Sequence, residues 1–94
     1  MSGFTEIDRL KMDELLKLDT TEIVDIRENW EFKDFNIGGI NVPAHELNEY
    51  KETMEKFENL IVVCSNGTRS SIVARVLAKK LPNTNIYHLE EGIF

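Results

Sequence analysis

The chain contains one cysteine, Cys64, and small or turn-forming polar residues follow it at once in 64-CSNGTRS-70. A thiol attacks as its thiolate, so its chemistry depends on what nearby would hold a negative charge. Gly67 supplies a positive φ angle that lets the chain curl with successive backbone N–H groups pointing inward. Ser65, Asn66 and Thr68 suit such a turn, and Ser70 brings a hydroxyl to the start of the next element. Arg69 adds a permanent charge and a planar donor fork at the rim. Downstream, Ile72, Val73, Val76, Leu77 and Leu81 recur at helical spacing. The loop therefore closes onto a helix N-terminus, whose dipole favours an anion. Lone cysteines are more often inert core thiols. An inert thiol, however, needs neither a polar glycine-containing loop nor a cation, and the segment reads as a nucleophile with its receptor.

The elements that must position this loop are legible around it. Leu60–Val63 is a continuous, mostly β-branched run, as in a strand covered on both faces. Ile23–Ile26, Ile86–Leu89 and, more weakly, Phe4–Ile7 read as further strands. Helices are expected at Met12–Lys17 and Asn29–Phe35, and in the segment where Leu47, Tyr50, Met54 and Phe57 recur every three or four residues. The acidic run Glu46–Glu58 then becomes the solvated face of that helix. Pro82-Asn83 stops the helix after the cysteine, and 36-NIGGINVP-43 reads as a turn-rich crossing. This alternation predicts an α/β fold, a small parallel β-sheet flanked by helices on both faces, in a single domain over residues 1–94. Ligand sites in such sheets lie beyond the carboxyl ends of the strands, which is where Cys64 falls.

Composition narrows the function. Seventeen acidic against eleven basic residues give a net charge of −6 over 94 residues, which argues against nucleic acid as a partner. No apolar run approaches a membrane span, and MSGFTEIDRL is polar and acidic where a secretory signal is basic and then apolar. One cysteine forms no internal disulfide, so a cytoplasmic location is expected and any sulfur partner comes from outside the chain. His45 and His88 show no metal-ligand spacing and read as ordinary polar or capping residues. Trp30 and Phe32 read as packing residues rather than a substrate platform, with Trp30 partly exposed. Asp25 and Arg27 stand at a predicted strand end within reach of the site, and Glu31 is expected to pair with a basic side chain rather than act as a general acid.

Taken together, these segments resemble a single-domain rhodanese, a sulfurtransferase family whose active site is a Cys-x-x-Gly-x-Arg loop after a buried strand. The likeness extends to 24-VDIRENWEF-32, to 37-IGGINVP-43 and to 89-LEEGI-93. It is strong toward rhodanese domains fused to enzymes that adenylate ubiquitin-like sulfur carriers, which also carry Asn-Ile-Gly-Gly. The resemblance implies a Cys64 persulfide, loaded from a donor such as thiosulfate or a protein persulfide and unloaded by a thiol or cyanide, with no metal or organic cofactor. It implies that Asp25 and Arg27 brace loops in a supporting role. Four residues separate Cys64 from Arg69; related phosphatases and arsenate reductases use five, which makes a wider cradle. A second reading is a relay module that takes sulfur from a cysteine desulfurase and delivers it to a carrier protein, with little small-molecule turnover. Three departures stand out: Glu91 replaces the first glycine of a closing Gly-Gly, Asn36 replaces a usual histidine, and the sequence stops at Phe94 where family members continue with a tryptophan and a short helix.

Overall fold

A computed structural model describes residues 3–94. The apolar runs form strands β1 (Thr5–Ile7), β2 (Thr21–Asp25), β4 (Asn59–Val63) and β5 (Asn85–Leu89), joined by a short β3 (Ile40–Asn41). All pair in parallel in the order β1-β5-β4-β2-β3. Strand β4 lies at the centre and is buried along its whole length. Its side chains alternate between the two faces with the period of two that a strand imposes. Leu60 and Val62 join Cys64 in a cluster with Met54, Val73 and Leu77, whereas Ile61 and Val63 pack with Met12, Leu15 and Ile93. Helices α3 (Lys51–Met54) and α4 (Thr68–Lys80) thus cover one face, and α1 (Arg9–Leu15) covers the other. This is the parallel sheet with helices on both faces that the alternation of elements predicts.

Four details differ from the sequence expectation. First, α1 begins at Arg9 rather than Met12 because the Asp8 carboxylate caps it, accepting from the Lys11 N–H at 2.9 Å. Second, residues 44–58 do not form one amphipathic helix. A 3₁₀ turn (Ala44–Glu46) leads through i→i−3 hydrogen bonds at Glu49 and Tyr50 into the four-residue α3. That tighter winding buries Leu47 and Met54 but turns Tyr50 outward.

Third, α4 is rotated from the face expected for it. Ile72 is 67% exposed, while Ser70, Val73, Ala74, Leu77 and Ala78 face the sheet. The small residues at positions 70, 74 and 78 let the helix backbone approach β4 and β5, a contact that bulkier side chains would hold apart. Fourth, the presumed crossing at 36–43 contains β3. Gly39, at φ +84°, comes so close to β2 that a Cβ there would lie 2.3 Å from the Ile23 carbonyl oxygen. Among the described residues no helix is long and apolar enough to cross a membrane.

Candidate active site

The central strand ends just before Cys64, and residues 65–67 curl round its sulfur before α4 begins at Thr68. The thiol is fully buried, and the Ser70 N–H, in the first turn of α4, donates to Sγ at 3.3 Å. Burial alone would raise the thiol pKa. The Ser70 hydroxyl and the N–H groups of Ser70, Asn66 and Gly67 outweigh it, and the net shift is downward from the ordinary thiol value. Three of these four donors are backbone amides held by the fold, so they need no reorganisation when charge appears on the sulfur.

The curl of the loop rests on Gly67, which caps α4 at φ +88°. A Cβ at this position would also lie 2.1 Å from the Glu90 carbonyl oxygen, so both backbone conformation and space demand glycine. Asn66 accepts from the Thr68 N–H through Oδ1 at 3.0 Å, which closes the turn. The C-terminal segment straps the loop from outside: Ile93 N–H donates to the Cys64 carbonyl at 3.0 Å and Phe94 N–H to that of Ser65 at 3.3 Å. Gly92, at φ +80°, makes this approach, and a Cβ there would meet the Ser65 carbonyl oxygen. Glu91 is exposed and its carboxylate accepts from the Arg9 N–H at 3.2 Å, so its side chain stays outside the strap.

Arg69 lies at the rim, engaged rather than free. Its two terminal nitrogens hold both Glu31 oxygens at 3.0 Å, and Nη2 also reaches Ser65 Oγ at 3.3 Å. The hydrogen bond to Glu31 raises the Arg69 pKa, and the one from Arg69 lowers that of Glu31. Three of the five guanidinium N–H donors are thereby occupied. Glu31 is placed by α2 (Asn29–Asp34), whose capping box joins Glu28 and Glu31.

Asp25 and Arg27 sit below this layer and are almost completely buried. Arg27 Nε and Nη2 bind the two carboxylate oxygens at 2.9 and 2.8 Å, and Nη2 also donates to the Phe35 carbonyl at 2.5 Å. The guanidinium lies 5.9 Å from the Phe94 ring centroid, and that ring stacks on Phe35. The pair thus ties the end of β2 to α2 and the C-terminal strap. Asn36 forms a side-chain turn, bonding the Phe32 carbonyl and the Gly38 N–H at 2.9 Å each.

Two expectations need correction. Trp30 is 71% exposed and packs into no core. The six-residue α2 turns it to solvent while turning Glu31 towards Arg69. His88 is more than an ordinary polar or capping residue: it is 1% exposed, with Nε2 2.6 Å from Ser70 Oγ and Nδ1 2.5 Å from Glu6 Oε1. A signal for it was present, since His88 follows Ile86 by two in a strand and so shares its inward face. His45 remains at the surface beside Glu28 and Glu46.

A buried thiol in an amide-lined loop thus lies between the central strand of a parallel sheet and the N-terminus of a helix, at the carboxyl edge of an α/β fold. Residues 8–94 match the model of the rhodanese-like domain, and the chain belongs to that family. A rhodanese-related protein from Thermoplasma volcanium superposes with a TM-score of 0.78 at 27% identity, over 95% of this chain and 86% of the other. The single-domain sulfurtransferase RDL2 of Saccharomyces cerevisiae gives 0.70 at 20% identity, over 97% and 86%. Reduced CoADR-RHD of Bacillus anthracis gives 0.79 at 24% identity over 95% of this chain, which spans only 16% of that larger one. The last two likenesses, below 25% identity, are likenesses of fold. No curated protein sequence matches the chain.

Proposed function

We propose that this protein is a sulfurtransferase that carries sulfane sulfur on Cys64. The observation that carries the reading is the buried sulfur, its pKa held down by hydrogen bonds from the loop and the first turn of α4. The thiolate attacks the outer sulfur of a donor, the donor's S–S bond breaks, and its electron pair leaves on sulfite or on a donor thiolate. The new Cys64 persulfide places its terminal sulfur among the same amide donors, which solvate its charge. An acceptor thiolate or cyanide then takes that sulfur, and the Cys64 thiolate is regenerated with the electron pair of the S–S bond. No cofactor is required for either displacement.

The pairing of Arg69 with Glu31 supports a second reading of the physiological partners. A small anionic donor approaching the rim meets a guanidinium already neutralised by a carboxylate. A protein persulfide, such as one formed on a cysteine desulfurase, brings its own surface and depends less on that charge. The relay reading, with a sulfur-carrier protein as acceptor, therefore stands beside turnover of thiosulfate.

Intact-mass spectrometry tests both. The protein is measured before and after thiosulfate, and separately after a desulfurase with cysteine, with Cys64→Ser alongside. A gain of one sulfur, reversed by dithiothreitol and missing from the variant, is the expected result. Loading by the desulfurase alone favours the relay reading. No gain with either donor overturns the proposed function.

A further inference from the structure

Behind the sulfur runs a line of buried polar groups that the two displacements do not use. Ser70 lies in the first turn of α4, His88 on β5 and Glu6 on β1, and β5 is the strand that separates β1 from β4. Their contacts join end to end. Ser70 N–H donates to Cys64 Sγ at 3.3 Å and the hydroxyl of the same residue favours the thiolate; Ser70 Oγ and His88 Nε2 are 2.6 Å apart; His88 Nδ1 and Glu6 Oε1 are 2.5 Å apart. The Phe4 ring meets the imidazole edge-on at 5.7 Å, and a Cβ at Gly67 would lie 3.8 Å from Cε1.

The donor and acceptor roles along this line allow two arrangements, and both satisfy every group. As a carboxylate, Glu6 only accepts, so His88 Nδ1 carries a proton in either case. In the first, the thiol donates to Ser70 Oγ, and the hydroxyl donates to an unprotonated Nε2. In the second, Nε2–H donates to Ser70 Oγ, and the hydroxyl donates to a thiolate. The two differ by one proton, on sulfur or on imidazole, with no movement of a heavy atom. The charged groups facing the imidazole from the packed elements are Glu6 on β1 and Cys64 at the end of β4. Asp8, Glu90 and Glu91 line the cleft beside Glu6, and Glu6 alone of these carboxylates bonds the ring.

We propose that Ser70 and His88 relay the Cys64 thiol proton inward: the S–H proton passes to Ser70 Oγ as the hydroxyl proton passes to His88 Nε2, and Glu6 retains the Nδ1 proton throughout. His88 is then a positioning residue and proton store for the nucleophile. The proposal rests on the reading of Cys64 as a thiolate nucleophile.

Two measurements on the full chain test it, and neither needs a sulfur donor. The rate of Cys64 alkylation by iodoacetamide is followed against pH in the wild type and in His88→Gln, whose amide keeps hydrogen bonds to Ser70 and Glu6 but takes no proton. The midpoint moves up by about one pH unit in the variant, slowing alkylation near neutral pH about tenfold. Nitrogen NMR of the His88 ring is then recorded in the wild type, at a pH where Cys64 absorbs as thiolate, and in Cys64→Ser at the same pH. Nε2 is protonated in the first and unprotonated in the second. An unchanged alkylation profile in His88→Gln, or a His88 ring in the same state in both proteins, overturns the relay and leaves His88 a packing residue. If the relay passes both tests and no persulfide forms with any donor, it is the sulfurtransferase reading that fails.

Discussion

At the sulfur of Cys64, burial works against ionisation while the hydroxyl of Ser70 and three N–H groups work for it, and the hydrogen bonds win. The thiolate is present above the lowered pKa and is lost as the pH falls through it. Wild-type alkylation should therefore have its midpoint below that of an unperturbed cysteine at about 8.5, a comparison a free-cysteine peptide provides. At the rim, neutralising Glu31 removes the charge that offsets Arg69. Glu31→Gln should lower the KM for thiosulfate about fivefold, an effect on the order of 1 kcal/mol for one charge a few ångströms from the donor. The same carboxyl is held low by Arg69, so the stability it contributes is complete above 4.5 and declines as the pH falls through the lowered folded value. Urea midpoints measured below that pH should fall less steeply in Glu31→Gln than in the wild type. The difference is small, because Arg69 is half exposed and solvent screens the pair.

Among the elements, the strand-to-helix turn carries the tightest constraints. Gly38 and Gly67 both hold positive φ, yet open space surrounds the first, while the second would drive a Cβ into the Glu90 carbonyl. Gly38→Ala should cost only the backbone term, about 1–2 kcal/mol. Gly67→Ala adds a backbone clash to the same term and should cost about 3 kcal/mol or more while slowing Cys64 alkylation. Urea denaturation and alkylation of the two variants check the contrast. The rotation of α4 belongs to this scale too. The helix was legible as a helix, but its buried face was not, because hydrophobicity ranks Ile72 above Ser70 and Ala74 whereas close packing on β4 and β5 ranks size first.

For the molecule as a whole, one buried ion pair joins parts that are distant in sequence. Arg27 binds Asp25, the Phe35 carbonyl and the face of the Phe94 ring, linking the end of β2 to α2 and to the strap that closes over the cysteine loop. Arg27→Met leaves the Asp25 charge buried without its partner and should cost about 3–5 kcal/mol. Asp25→Asn, which keeps an acceptor, should cost less, with urea denaturation as the measure. The loss should also show as faster hydrogen exchange at the Ile93 and Phe94 amides, which donate to the cysteine loop.

The local pattern of residues already determined the parallel sheet, the strand-loop-helix around Cys64 and the positive φ at Gly67. Each is written in neighbouring residues: a β-branched run, a turn-forming hexad, a helical repeat. The partners of those residues were decided only by the tertiary structure. It set Glu31 on Arg69, Gly92 under Ser65 and His88 between Glu6 and Ser70, pairs separated by 18 to 82 positions. Strand order made the last of these contacts, because β5 lies between β1 and β4, and no local pattern states which strands will be neighbours.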